Sequence, residues 1–341
     1  LNRPSLRRRP LCALATAVLA LVAAPASAAP APKCGGRDML AEMQRDEPQI
    51  HARIMAAAKA TENTEAVLWR IEGRDGGPPS HLLGTVHVTD PRITTLAPAA
   101  KTALAQAKTV VLEVADLSPS ATAEAITRAA PLILYADGRR LDTQLSPAEF
   151  DTVKTKLAAA GMPGELGGLF KPWIVYMILS VSDCERQKVQ GGDLVLDMRI
   201  AEDARARGVP VVGLETIDEQ LAAMASVPDE QQLEVLKATL KYAPRTDDLM
   251  ETVLQFYLQR RMGAAWPFQL ALAAKAGIDP APLATFRDEL VVRRNLRMRD
   301  GLLPTLARGG AFVAVGAMHL VGREGLVTLL RQAGHTVTPV Q

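Results

Sequence analysis

Two stretches far apart in the chain end in the same way, and this pairing constrains the fold more than any other feature. Residues 80–90 read Ser-His-Leu-Leu-Gly-Thr-Val-His-Val-Thr-Asp, an apolar run with β-branched members that fits a buried strand. Gly84 lets the backbone leave strand geometry or be approached closely, and His87 follows three residues later. Near the C-terminus, Phe312-Val313-Ala314-Val315 reads as another strand, followed by Gly316-Ala317-Met318-His319. Two strands that each end in Gly-x-x-His bring two imidazoles to one edge of one sheet. Bare, the tetrapeptide says nothing. Two copies behind buried strands, in a chain with only five histidines, say more.

The alternation of elements around these strands predicts an α/β fold with a central mixed sheet and flanking helices. Residues 66–71 form a strand, and the Gly/Pro cluster at 74–79 makes a hairpin into the first Gly-x-x-His strand. Residues 109–114, Thr-Val-Val-Leu-Glu-Val, make the next strand, apolar on both faces except at Glu113. Such a carboxylate must stand at the sheet's end, be paired, or bind metal, because lone burial is costly. A capping box at Ser146-Pro147-Ala148-Glu149 starts one helix and Thr216-Ile217-Asp218-Glu219 another. Between them, residues 209–213 are a short strand, so Glu215 sits where a strand gives way to a helix N-terminus, the place where α/β sheets keep ligands. From 228 to 308 the pattern is helical almost throughout, which predicts a large helical insertion before the last strands.

The first 28 residues carry Arg3, Arg7, Arg8 and Arg9, a short apolar core, and Ala26-Ser27-Ala28, the pattern of a secretory signal peptide cleaved after Ala28. The expected mature unit is one domain, 29–341, periplasmic or secreted, with no membrane span after cleavage. Four of the 39 basic residues leave with that segment, so 35 remain against 37 acidic ones, a net of −2. With acids interspersed and aromatics scarce, nothing favours nucleic acid. Of three cysteines, Cys12 lies in the signal, and Cys34 and Cys184 are expected to form a disulfide in an oxidising compartment.

His87, His319 and a strand-end carboxylate, Glu113 or Glu215, make a candidate divalent-metal cluster, since imidazole and carboxylate suit Mn, Fe, Co or Zn. The competing reading is two hydrogen-bonded core histidines. Arg294-Asn295 lies on a helix expected to turn Leu290, Val291 and Leu296 inward, where it either holds a ligand or forms a solvated face. His51 and His335 read as solvated. No nucleophile elbow, Walker A, GxGxxG or HExxH pattern is present.

Taken together, Leu83-Gly84-Thr85-Val86-His87, Leu112-Glu113, Lys171-Pro172-Trp173, Gly213-Leu214-Glu215-Thr216 with Glu219-Gln220, Arg294-Asn295, and Val315-Gly316-Ala317-Met318-His319-Leu320 with Gly322 and Gly325 resemble the TraB/GumN family, which includes the Tiki-like membrane proteases. The resemblance implies a fold related to the erythromycin-esterase and haem-uptake ChaN-like group. It implies an Mn- or Co-dependent hydrolase, Zn being a further option, acting on a peptide or protein substrate. His87, His319 and Glu113 would hold the metal, with Glu215, Arg294 and Asn295 in catalytic roles. A ligand-binding module for haem or a cell-surface polysaccharide is the alternative.

Overall fold

The computed structural model describes residues 34–73 and 77–340. The expected signal peptide, its cleavage site and part of the 74–79 turn cluster lie outside those residues.

Six strands form one mixed sheet: β1 (Leu68–Ile71), β2 (Ser80–Thr85), β3 (Thr109–Leu112), β4 (Val211–Gly213), β5 (Ala311–Gly316) and β6 (Val337–Pro339). Their order is β4-β3-β5-β2-β1-β6. The hairpin pairs β1 with β2 antiparallel, and β6 closes antiparallel on β1. The other four strands are parallel: β2 with β5, β5 with β3, and β3 with β4. All four therefore release their chains at the same edge. Thr85 pairs with Gly316, Leu112 with Ala314, and Gly213 with Leu112, so the four strand ends stand in a row.

The alternation along β5 explains the three layers. Phe312 and Ala314 pack with Val110, Leu112 and the inward faces of helices Pro98–Ala105 and Leu196–Ala206. Val313 and Val315 point the other way, onto Met298, Leu302 and Leu306 of helix Arg293–Arg308 and onto helix Leu326–Gln332. A strand apolar on both sides must be central, and β5 is. Helices also fill the stretch from Asp229 to Arg308, between β4 and β5.

Several local readings are corrected. β3 ends at Leu112, so Glu113 lies just beyond the strand rather than inside it. Leu296 is exposed, while Asn295 and Met298 turn inward. Within helix Arg293–Arg308 the inward residues Asn295, Met298, Leu302 and Leu306 recur at α-helical spacing, and Leu296, one residue on from Asn295, falls about 100° off that face. His335 is buried rather than solvated. Cys34 and Cys184 are bonded, with Cα atoms 5.5 Å apart, tying the first described residue to helix Asp183–Gln190.

Candidate functional site

The row of strand ends gathers the candidate residues from the ends of four strands and from helix Arg293–Arg308. The two glycines make this convergence possible by lacking a side chain. A Cβ on Gly84 would lie 3.0 Å from Cα and Cβ of Ala317, so the end of β2 can lie against the turn that carries His319 only if residue 84 has none. A Cβ on Gly316 would lie 3.2 Å from Glu113 Oε1, 3.5 Å from His319 Cδ2 and 3.9 Å from His87 Nε2. The two imidazoles and the strand-end acid thus ring one bare glycine.

Each histidine is oriented from behind. Asn295 is fully buried; its Nδ2 donates to the carbonyl of Glu324 at 2.6 Å, which turns Oδ1 toward His319 Nδ1 at 2.7 Å. His319 therefore carries its proton on Nδ1, and bare Nε2 faces Glu113 Oε1 at 3.7 Å. Burial drives the His319 imidazolium down to about 4, only partly opposed by Glu113, so the ring is neutral near pH 7. On the other side, Asp197 accepts from the Thr85 hydroxyl at 2.8 Å with one oxygen and holds His87 Nδ1 at 3.1 Å with the other. Crowding by protein pushes the His87 pKa down, but Asp197, with Glu113 behind it, lifts it to about 9. The His87 side chain is 59% exposed in its recess, so water screens this pair.

The carboxylates share one guanidinium. Arg294 donates through Nη2 to Glu113 Oε2 at 2.7 Å, through Nε to both oxygens of Glu215 at 3.0 and 3.1 Å, and again through Nη2 to Glu215. Gln220 Nε2 bridges the same two acids, at 3.1 Å to Glu113 and 3.2 Å to Glu215. Glu113 Oε1 accepts the Gly316 amide at 2.7 Å. Burial alone would raise the Glu113 carboxyl; the surrounding positive charges and that amide instead hold it at about 2. With His319 neutral near pH 7, the acting charges there are Arg294 and protonated His87. The capping box expected at Thr216 and Glu219 is present and places Gln220 one residue into the cleft.

These donors suit a divalent cation. Both imidazoles have Nδ1 tied to an oxygen behind them, the arrangement that aims Nε2 at a metal. Two lone-pair donors face each other across 3.7 Å, a gap that bond lengths of about 2.0–2.2 Å to one ion can span. Among the described residues, however, no three His, Cys, Asp or Glu side chains are close enough to form a preassembled cage. His87 is the outlying member.

His87, Glu113, Glu215, Arg294, Asn295 and His319 are thus brought together at one sheet edge. In this arrangement Arg294 is spent on two carboxylates and Asn295 on His319, so neither presents a free polar group. Asp197 was missed by sequence reasoning. The signal was present: Asp197 lies among Leu196, Ile200, Ala201 and Ala204 on the buried face of its helix, and an acid on an apolar face needs a partner.

Comparisons with known proteins place the chain in a family. Uncharacterized protein YbaP of Shigella flexneri is 25% identical over 256 residues, covering 74% of this chain and 88% of that protein. Metalloprotease TIKI1 of Danio rerio is 26% identical over 317 residues, covering 79% of this chain and 62% of that protein. Metalloprotease TIKI2 of Xenopus tropicalis is 26% identical over 327 residues, covering 82% and 60%. The chain spans about three fifths of the length of these two metalloproteases. The family model of TraB/PrgY/gumN matches residues 67–339, from the first strand to the last, and the chain belongs to that family.

Proposed function

We propose that this protein is a metal-dependent hydrolase of an oxidising compartment, the periplasm or the exterior, and that its substrates are peptides or proteins. The observation that carries the reading is the convergence of His87 Nε2, Glu113 Oε1 and the His319 ring on Gly316. The similarity to two metalloproteases supports it. For the compartment, the support is the Cys34–Cys184 bond. Among the described residues no helix is long and apolar enough to cross a membrane.

His87, His319 and Glu113 would hold one divalent ion, with Mn or Co favoured over Zn. Such an ion supplies Lewis acidity and acidifies water at neutral pH. The remaining steps fall to the protein. Glu215 takes the proton of the attacking water and returns it to the leaving amine. Arg294, which grips Glu215 in the resting site, turns toward the developing oxyanion. Gln220 keeps Glu113 and Glu215 apart and in register while that exchange occurs. Asp197 and Asn295 hold the two imidazoles in their productive rotamers. His87 gives up a proton on metal binding, so loading is weaker at lower pH.

The test is elemental analysis of the purified chain followed by cleavage of a peptide pool with added Mn, Co or Zn. About one equivalent of metal is expected, with cleavage lost in both His87→Ala and His319→Ala. Equal cleavage by chelator-stripped protein, or none with any of the three ions, would overturn the proposal.

A further inference from the structure

Helices between β4 and β5, with one that precedes β4, line a half-open cavity of about 310 Å³ that the residues discussed so far do not use. It lies among helices Pro172–Leu179, Asp229–Tyr242, Thr246–Leu258 and Ala265–Lys275. Helix Thr246–Leu258 lines it with Leu249, Met250, Val253 and Phe256, and the first three remain only partly buried although their neighbours are apolar. A helix face of this kind, half-covered and turned toward empty space, is unfinished without an apolar occupant.

The Tyr176 phenol meets the Ser180 side chain, and the other hydroxyls of the lining are also partnered. Ser180 donates to the Tyr176 carbonyl, Thr239 to Val235, Tyr242 to Leu272 and Thr246 to Ala243, each within 3.0 Å. Gln269 is exposed, and no charged side chain lines the space. The occupant is therefore hydrocarbon without a buried polar head, since a charge there would find no partner. In size the cavity is about twice the roughly 150 Å³ that accepts a benzene ring, so it takes one large apolar side chain with room beside it.

The cavity adjoins the candidate site through two covalent neighbours. Val88 lines it and directly follows His87. Phe256 lines it and directly precedes Tyr257, whose hydroxyl donates to the Gly84 carbonyl at 2.8 Å. The segment from Gly84 to Val88 is thus gripped by the same helix that walls the cavity. We propose that this cavity is the specificity pocket of the peptidase, receiving a large apolar side chain of the substrate next to the scissile bond. This rests on the peptidase reading above and adds the substrate class.

The test has one arm that does not depend on turnover. The neutral fluorophore N-phenyl-1-naphthylamine should bind the full chain with enhanced emission and be displaced by tripeptides carrying Leu or Phe, but not by triglycine. Ala238→Phe and Val253→Phe, which fill the space from opposite walls, should each weaken probe binding at least about tenfold. Their melting temperatures, at or above that of the parent, report that the fold persists. In the kinetic arm, the ratio of kcat/KM for peptides with Leu or Phe over those with Gly should fall by a similar factor in both variants. Absence of probe binding, displacement by triglycine as effective as by Leu or Phe peptides, or unchanged binding in both folded variants overturns the pocket. Selective displacement without any cleavage leaves the pocket standing and overturns the hydrolase instead.

Discussion

Replacing Arg294 by Met tests the electrostatic heart of the site. The substitution keeps the length and apolar stem of the side chain but withdraws the one guanidinium that serves both Glu113 and Glu215. Their side chains are only 11% and 4% exposed, so water replaces little of what is lost. Removing one partner of such a buried pair costs about 3–5 kcal/mol, because the remaining charges stay buried and uncompensated. Burial raises the Glu113 carboxyl, yet His319, Arg294, His87 and the Gly316 amide together hold it at about 2, so Arg294 supplies part of that depression. The sign with pH follows. A depressed carboxyl stabilises the fold fully above pH 4.5 and loses that contribution as pH falls toward 2. Without Arg294 burial pushes the Glu113 carboxyl upward, and the variant regains ground as that group becomes protonated. The stability gap between parent and variant should therefore be widest at pH 7 and narrow below pH 4.5. Urea unfolding in the presence of a chelator, at pH 7 and pH 4, measures it directly. Arg294→Met/Glu215→Gln should recover part of the loss by removing one of the two stranded charges. A loss below 1 kcal/mol at pH 7, or a gap of equal size at both pH values, would refute the reasoning.

Three further outcomes are expected. Gly316→Ala should leave the circular dichroism spectrum unchanged, since φ of −52° suits any residue, yet weaken Mn binding in calorimetry because its methyl enters the ring formed by Glu113, His319 and His87. Asn295→Ala should cost about 1–3 kcal/mol in thermal or urea unfolding by stranding the Glu324 carbonyl and the His319 Nδ1 proton, and should lower metal affinity by about 10–100-fold. Cys34→Ser/Cys184→Ser frees a loop of 150 residues, and the chain-entropy relation gives a loss of about 5 kcal/mol in urea unfolding.

What was legible in the sequence and what was not divide along a physical line. Features set by neighbours in the chain could be read directly. The Gly-x-x-His ends, the strand-to-helix position of Glu215 and both capping boxes depend on a few consecutive residues and on backbone sterics. The disulfide was legible because only two cysteines remained outside the expected signal segment. Features set by how a helix is rotated were not. In helix Arg293–Arg308 the buried stripe begins with a polar residue, Asn295 behind His319, so apolar periodicity alone put Leu296 on the wrong face. Asp197 reaches His87 from a helix 110 positions later, a pairing that only the parallel sheet brings about. The same limit explains Arg294. Its charge was visible, but not that two acids from different strands would compete for it. The site depends on that competition. A guanidinium held by two carboxylates helps keep Glu113 ionised beside the neutral His319 imidazole, and this leaves a compact recess lined with nitrogen and oxygen donors. On the proposed reading the ion-pair network would be the metal-free state of the same arrangement that holds the cation, Nε2 of His319 and Oε1 of Glu113 already facing each other at 3.7 Å.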